Sequence, residues 1–413
     1  MRLSDGSSGS AAGRSHYARD VEASIDRRAM ADVSLGHLAA DFAQGALPAL
    51  LVFLKPVLGL SYTMTAAVVL VGTVTSSLAQ PFFGHWSDRR RALWLMPAGI
   101  ALACVAIALA AIAPDYALLL VLVGCSGLGV GAFHPEAMKV AGHASGGRRA
   151  SGMAVFATGG NVGFALGPLV ANFAIGPLGV NGGLFLVIPG LVIAVLLIRE
   201  YGHLAEVRGA RSSHAGGIAA PDQPQAFKWL LVLIGLRSVA YYGLFTFVPL
   251  WEVSQGHSKS YGNTLLSLVL LAGVAGTLSA GTIADRVGRR LVLLGSMLLT
   301  PGLILLYVEA GGIIGAVAVC TAGAVIVSTF GVTIVLSQEY LPSRIAMASG
   351  MSVGLATGLG GIAAVALGAV ADAIDLKTAL VATAVGPAVG ALVALRLPAD
   401  HGLRRHVAAP APD

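Results

Sequence analysis

The chain has 413 residues, of which 11% are charged and 56% are apolar. In soluble domains roughly a quarter of all residues are charged. This composition therefore excludes an ordinary soluble fold and predicts a membrane protein. The formal net charge of +6 comes from short polar clusters between apolar runs, without a basic stripe interleaved with aromatic residues. This pattern indicates membrane topology and argues against a nucleic-acid partner.

Twelve apolar runs follow one another along the chain. A helix needs about 20 predominantly apolar residues to cross a bilayer, so the runs predict an all-α polytopic membrane protein with twelve transmembrane helices. The runs lie near residues 31–54, 62–83, 92–113, 117–135, 150–175, 182–199, 227–251, 262–283, 290–308, 312–337, 345–371 and 376–397.

Polar stretches divide these runs into two sets of six. Residues 201–226 predict a linker between an N-terminal six-helix bundle (31–200) and a C-terminal six-helix bundle (227–398). The polar tails 1–30 and 399–413 are predicted to be disordered. The N-terminal tail lacks a short apolar core followed by a cleavage site, so we expect no cleaved signal peptide.

The distribution of basic residues predicts the orientation in the membrane. If both termini lie on one side, that side collects 22 of the 26 Lys and Arg residues. The loops on the opposite side hold Lys55, Lys259 and Lys377, while Arg237 lies inside a span. The positive-inside rule therefore predicts that both termini are cytoplasmic.

The polar loops after the second and eighth runs share a sequence pattern. Gly84 and Asp88 begin the first copy, and Gly281 and Asp285 begin the second copy 197 positions later. The tetrapeptide Ala-Ser-Gly-Met at 150–153 also recurs, at an offset of 198. These matches predict duplication of a six-helix unit, an arrangement in which the substrate site lies between the two halves near the bilayer midplane.

The shared pattern, Gly-x-x-x-Asp-Arg-x-Gly-Arg-Arg, resembles the signature loop of the major facilitator superfamily. The second copy matches fully, whereas the first has Arg91 at its second glycine. The resemblance implies a cytoplasmic gate, in which aspartates face helix N-termini and arginines bind carboxylates or anionic lipid. A topology signal alone is the alternative. The gate residues of the two copies are Asp88, Arg89, Asp285, Arg286, Arg289 and Arg290.

The ends of the fourth and tenth runs carry glutamate and arginine residues that resemble further gate elements of this superfamily. They are Glu136 with Arg148, and Glu339 with Arg344. We expect these four residues to serve the gate and its packing rather than to bind substrate.

Five segments narrow the resemblance to the fosmidomycin-resistance branch of the superfamily. They are residues 34–44, 133–136, 144–148, 159–168 and 338–342. This resemblance implies a drug efflux protein of the bacterial inner membrane that exchanges its substrate for protons. We expect a monomer whose partners are a small-molecule substrate and membrane lipid, with protons as the coupling ion and no cofactor or metal.

The first run carries polar residues on one face. Ser34, His37, Asp41 and Gln44 follow helical spacing, and a polar face cannot look at lipid, so we expect them to line the central cavity. His37 and Asp41 are one turn apart, and a histidine changes its charge near neutral pH. The pair is therefore predicted to bind and release a proton; a helix-packing hydrogen bond is the alternative.

Arg237 lies about as deep in the seventh run as Asp41 does in the first. Adding the 197-residue offset to Asp41 leads to Ser238, the next residue. We expect Arg237 to bind an anionic group of the substrate, such as a phosphonate, and to meet Asp41 when the site is empty. A permanent structural ion pair is the alternative. Tyr241, one turn further along, is expected to donate a hydrogen bond into the cavity.

Small residues mark weaker patterns. Hydroxyl stripes in the second and tenth runs, which include Thr329 and Thr333, serve either substrate contact or helix packing. Glycines spaced by four predict close helix crossings in the fifth and eleventh runs. These glycines are Gly159, Gly163 and Gly167, and Gly350, Gly354 and Gly358.

Three other functions compete with drug efflux as interpretations of the sequence. A proton-coupled importer of a small metabolite fits the same proton-binding residues and stays open. An intramembrane enzyme is disfavoured, because no activated nucleophile, metal-ligand cluster or phosphate-binding loop is visible in the sequence. A channel is disfavoured because no span carries an interruption typical of a selectivity filter.

Overall fold

The computed structural model describes residues 24–90, 92–146, 148–209 and 221–399, without the side chains of Asp88, Arg149, Ala150, Ile345 and Ala346. Regular structure within those ranges is entirely helical. The membrane helices are α1 (Arg27–Leu58), α2 (Tyr62–Arg90), α3 (Leu95–Ala110), α4 (Tyr116–Ala144), α5 (Arg149–Leu178), α6 (Val187–Arg199), α7 (Pro224–Ser254), α8 (Lys259–Val287), α9 (Arg289–Ala310), α10 (Gly312–Tyr340), α11 (Ile345–Ala373) and α12 (Leu376–Thr383 continued by Val385–Ala394).

The prediction of twelve spans is confirmed. Ten stretches of the described chain are long and apolar enough to cross a membrane, and Leu95–Ala110 is a shorter apolar helix. One of the ten, Ser151–Arg199, contains both α5 and α6, which brings the total to twelve. The 3-10 helix Gly179–Leu186 joins these two, and at about 2.0 Å per residue it lengthens the short α6 enough to cross the bilayer.

Capping residues determine where several helices begin and end. Asp26 accepts a hydrogen bond from the backbone N–H of Ala29 at the start of α1, and Ser258 does the same for Tyr261 at the start of α8. Between α8 and α9, Gly288 has φ +99°, a conformation that favours glycine. Gly288 is the second glycine of the repeated loop, whereas its counterpart Arg91 lies outside the described residues.

Several helices extend beyond the predicted apolar runs, whereas α3, α6 and α12 are shorter than theirs. The first run was predicted at 31–54, but α1 covers Arg27–Leu58, because the cap at Asp26 starts the helix before the apolar residues begin. The predicted linker 201–226 contains a short helix, Tyr201–Gly209, and α7 begins at Pro224. Residues 210–220 of that linker, and most of both predicted tails, lie outside the described residues.

The two six-helix halves meet at one end of the molecule. Because the chain crosses twelve times, residues 24 and 399 lie on the same membrane side, which we call the terminal side. On the opposite side, Thr63 Oγ1 of α2 donates to Asp372 Oδ2 of α11 at 2.6 Å. Asn172 of α5 also donates to Ser260 of α8 at 2.9 Å. These bonds join the halves away from the terminal side.

The halves separate toward the terminal side. In the half of α11 that is farther from the terminal side, a Cβ added at Gly361 would meet Leu70 of α2 at 2.7 Å. In the half nearer the terminal side, a Cβ at Gly350, Gly354 or Gly358 would meet no atom within 4 Å. The prediction of a close crossing at these three glycines is therefore wrong for this conformation, since the glycine face of α11 has no neighbour there, although Ala348 and Ala356 on another face are buried. This face of α11 is therefore open toward the terminal side.

The predicted close crossing in α5 is confirmed. A Cβ at Gly163 would collide with the backbone carbonyl of Leu38, and one at Gly159 with that of Ser34. On α1, a Cβ at Gly45 would strike the backbone of Phe164. The backbones of α1 and α5 therefore touch, which holds the polar face of α1 in one position.

We expect Gly163→Ala to reduce the stability of the protein. The added methyl group has only backbone to push against, and such overpacking costs about 1–3 kcal/mol. Thermal unfolding of the detergent-solubilised protein measures this. Gly354→Ala is the matched control, since its methyl group meets open space. Equal unfolding temperatures for both variants would contradict the close crossing.

Candidate functional site

Three ionisable side chains meet in the N-terminal half, inside the membrane. His37 and Asp41 come from α1, and His134 comes from α4. His37 Nε2 lies 3.2 Å from Asp41 Oδ2, and His134 Nε2 lies 3.4 Å from Asp41 Oδ1. The two Nε2 atoms are 3.2 Å apart. The three side chains are between 11% and 17% exposed, so they are largely withdrawn from solvent.

Neighbouring backbone atoms fix the orientation of both imidazole rings. His37 Nδ1 lies 2.8 Å from the carbonyl oxygen of Phe156, and His134 Nδ1 lies 2.8 Å from that of Val130. Carbonyl oxygens only accept, so each Nδ1 carries a proton and donates it. The Phe156 ring also stacks on His37, with centroids 4.2 Å apart.

Gly160 on α5 provides the space for this cluster. A Cβ at Gly160 would collide with His37 Nε2 and lie 2.6 Å from Asp41 Oδ2. Any larger residue at this position would displace the two side chains. The cluster therefore depends on α5 as well as on the two helices that supply its members.

The cluster requires a cation. With both Nδ1 atoms protonated, each neutral ring presents a lone pair at Nε2, and Asp41 presents two acceptor oxygens. Acceptors that face one another at 3.2–3.4 Å repel unless a proton or another positive ion lies among them. The site is therefore built to hold positive charge inside the membrane.

Arg237 occupies the corresponding half of the C-terminal bundle. Its side chain is only 1% exposed, and it donates to Thr329 and Thr333 of α10 at 3.2 and 3.3 Å. The guanidinium also lies 3.9 Å from the ring centre of Phe330. Its Nε has no hydrogen-bond partner among the described residues, although an uncompensated buried charge is costly.

Asp41 and Arg237 do not form the predicted ion pair in this structure. Asp41 is held by two histidines, and Arg237 is turned toward α10. The repeat offset gives matching depths along the two helices, but it does not determine the direction of each side chain. The alternative of a permanent ion pair is not found in the described residues either.

Aromatic residues lie between the two charged sites. Tyr241 packs edge-to-face on Phe330 at 5.2 Å and lies parallel to Phe245 at 6.1 Å. Phe245 in turn contacts Phe164 of the N-terminal half at 4.9 Å. Gln44 lines a small cavity beside Phe164 and Phe245, and its amide nitrogen has no partner in the described part of the chain.

The two glutamates among the predicted gate residues both accept from arginines. The fully buried Glu136 accepts from Arg208 of the short helix Tyr201–Gly209 at 2.8 Å, and from the Ser87 hydroxyl. Glu339 pairs with Arg289.

The remaining gate predictions are not tested by these contacts. The side chain of Asp88 lies outside the described residues, and Arg290 donates to the carbonyl oxygens of Ala394 and Leu395. The other predicted gate residues are exposed at the terminal side. They are Arg89, Arg148, Asp285, Arg286 and Arg344.

His134 is the member of the candidate site that the sequence patterns do not indicate. It lies in the segment 133–136, which carries part of the family resemblance. Its position in an apolar run, where an ionisable group is costly, was the available signal. The same residue completes a group of possible metal ligands with His37 and Asp41. The sequence does not show this group, because it forms only when α1 and α4 pack together.

The fold and the site together define a class of protein. Two six-helix halves are joined on one membrane side, and each half buries ionisable side chains within the membrane, which is an arrangement found in transporters built from two repeats. The chain belongs to the Major Facilitator Superfamily, whose family model matches residues 33–365. It is accordingly a multi-pass membrane protein of a transporter family.

Relatives and solved structures agree with this assignment. The chain is 33% identical to the uncharacterized MFS-type transporter YfnC of Bacillus subtilis (strain 168) over 385 residues, covering 90% of this chain and 93% of that protein. It is 30% identical to the fosmidomycin resistance protein of Escherichia coli (strain K12) over 370 residues, covering 87% and 90%. The resemblance drawn from the sequence segments is thereby confirmed.

Structural similarity supports the fold alone. A bacterial homologue of the human lysosomal transporter Spinster, in an inward-facing and occupied conformation, has a TM-score of 0.72 at 13% identity, covering 89% of this chain and 96% of that chain. The nucleoside transporter NupG has a TM-score of 0.71 at 11% identity, covering 89% and 99%.

Proposed function

We propose that this protein exports a small anionic, drug-like compound across the bacterial inner membrane in exchange for protons. The observation that carries the proposal is Arg237, a buried cation with no carboxylate partner in the described residues. A guanidinium in this state has donors left for a carboxylate, phosphate or phosphonate group. The aromatic side chains of Tyr241 and Phe330 beside it suit an apolar part of the same molecule.

The direction of transport is inferred from two features. The bias of Lys and Arg favours cytoplasmic termini, so the open terminal side would face the cytoplasm, where an exported compound enters. A relative that covers most of this chain is named for fosmidomycin resistance, which favours efflux. Fosmidomycin is therefore the first compound to test.

The cation that drives transport is proposed to be a proton held by His37, Asp41 and His134. Their converging acceptors need one positive charge, and release of that charge would leave Asp41 ionised among lone pairs. Loading and release of this cation would alternate with binding of the anion at Arg237.

A susceptibility panel that includes fosmidomycin tests the proposed function in cells. A strain that overproduces the protein should resist one or more anionic compounds, and a proton uncoupler should remove that resistance. The same sensitivity with and without overproduction, together with faster uptake of a nutrient, would instead establish the importer.

Asp41→Asn is expected to abolish transport driven by a pH gradient, because the amide cannot balance the cation held between the two histidines. Substrate exchange without a gradient should persist, since Arg237 is unchanged. Proteoliposomes loaded with substrate measure both activities. Asp375→Asn is the control, because asparagine also caps a helix and Asp375 caps α12. Full gradient-driven transport by Asp41→Asn would refute the coupling role.

A further inference from the structure

The spacing of donor atoms around Asp41 matches a coordination sphere. Two imidazole nitrogens bound to one Zn²⁺ at about 2.0–2.1 Å in tetrahedral geometry lie about 3.3 Å apart. The two Nε2 atoms here are 3.2 Å apart, and each faces a different oxygen of the same carboxylate at 3.2–3.4 Å. One ion can therefore contact all three side chains without rearrangement of the helices.

The hydrogen bonds made by the other ring nitrogens of the two histidines are also those of a metal site. Metal-bound histidines characteristically donate the other ring N–H to a carbonyl or carboxylate, which sets the ring orientation and makes the ligand nitrogen more basic. Both rings do so here, through Phe156 and Val130. The lone pairs of the two Nε2 atoms are thus fixed toward Asp41 before any ion arrives.

The donor set determines which ions fit. Two imidazoles and one carboxylate suit divalent transition ions such as Zn²⁺, Co²⁺ or Ni²⁺. Ca²⁺ and Mg²⁺ require mainly oxygen ligands, and the cluster offers only two oxygens, both from Asp41. Three protein ligands leave a coordination position for water, as in open zinc sites.

We propose that His37, Asp41 and His134 form a binding site for one divalent transition-metal ion, with Zn²⁺ as the representative. The proposal does not depend on the transported substrate or on the direction of transport. It differs from the expectation from the sequence, which included no metal site. Gly160 is the positioning residue of the site, because a side chain there would enter the space between His37 and Asp41.

Two other histidine–carboxylate pairs provide matched controls. His257 lies 2.7 Å from Glu252, and His203 lies 3.1 Å from Asp26. Each pair has the same chemistry as His37 with Asp41, but neither is part of a three-residue metal-ligand group in the described chain. If Zn²⁺ bound only weakly to one of these two pairs, substitution of its histidine would remove the binding. Substitution of a histidine in the cluster would then have no effect.

The test is metal binding to the full-length protein, purified in detergent through a tag without histidine and treated with a chelator. Titration calorimetry with Zn²⁺ should give one site per chain, and Co²⁺ should produce the visible absorption of a tetrahedral complex. Mg²⁺ should not displace either ion. His37→Ala and His134→Ala should weaken Zn²⁺ binding by more than about 10-fold, since loss of an outer partner alone costs that much. His257→Ala and His203→Ala should bind like the wild type.

His134→Gln guards against a variant that fails to fold, because glutamine is polar and similar in reach. If this variant is monodisperse in gel filtration and still binds Zn²⁺ with wild-type affinity, the proposal is overturned. It is also overturned if the wild-type protein binds Zn²⁺ no more tightly than His37→Ala does.

Discussion

Arg237→Ala is expected to abolish recognition of the anionic substrate. A bidentate contact between a guanidinium and an anion contains two charge-assisted hydrogen bonds, each worth about 1.5–3 kcal/mol. Their loss should raise the Kd by roughly 100-fold or more. Arg237→Lys keeps the charge but not the planar fork, so we expect an intermediate affinity.

The surroundings of Arg237 allow this variant to fold. The hydroxyls of Thr329 and Thr333, which accept from Arg237, also donate to the carbonyl oxygens of Ile326 and Phe330. They therefore keep a partner when the guanidinium is removed. Removing a buried charge that has no ionic partner also relieves a desolvation cost. Thermal stability should be maintained or increased, which separates a binding defect from unfolding.

The measurement is binding of fosmidomycin, or of whichever compound the susceptibility panel selects, to protein in detergent. Arg28→Ala is the control, because Arg28 is an exposed arginine that pairs with Glu200 away from the cavity. A Kd for Arg237→Ala equal to that of the control would sink the proposed anion site. Loss of binding in Arg237→Ala together with unchanged Zn²⁺ binding would show that the two sites are independent.

The spans and the internal repeat could be predicted from the sequence because they depend on local composition. About 20 apolar residues make a spanning helix whatever surrounds them. The duplicated loops can be recognised directly from their shared sequence pattern. Even α6, whose α-helical part is short, was found because its 3-10 extension is apolar as well. Helix ends were less accurate, since they depend on caps such as Asp26 rather than on hydropathy.

The candidate site could be predicted only in part. Spacing along one helix correctly placed His37 and Asp41 on one face, and their contact is a property of that helix alone. His134 joins them from α4, 97 residues away, so its role depends on helix packing that no local pattern reveals. Arg237 was found by depth, but its direction toward α10 is decided by Thr329, Thr333 and Phe330.

The partner of Glu136 shows the same limit. The resemblance indicates Glu136 and Arg148 as gate residues without giving Glu136 a partner; Arg148 is exposed, and Arg208 makes the bond. Arg208 lies in a stretch whose composition predicts a linker, and it becomes ordered as a helix whose Leu204 is buried. A polar segment that hydropathy predicts to be solvent-exposed can thus supply an arginine that pairs with a buried carboxylate.

Arg208→Ala is expected to cause a large loss of stability. The carboxylate of Glu136 is fully buried, and Arg208 is its cationic partner at 2.8 Å. Removing one member of a buried pair leaves an uncompensated charge, which costs about 3–5 kcal/mol. The Ser87 hydroxyl still donates to Glu136, but a neutral donor does not replace a guanidinium. Thermal unfolding in detergent measures the loss.

A second substitution distinguishes the lost charge from lost packing. In Arg208→Ala with Glu136→Gln, the buried amide needs no cation, so the double variant should be more stable than Arg208→Ala alone. Arg28→Ala removes an arginine from an exposed pair and should change stability little. If the double variant were no more stable than the single one, Arg208 would act through the packing of its methylene groups. Rescue by Glu136→Gln would instead mean that one buried charge pair holds the short helix Tyr201–Gly209, at the start of the linker, against the N-terminal bundle.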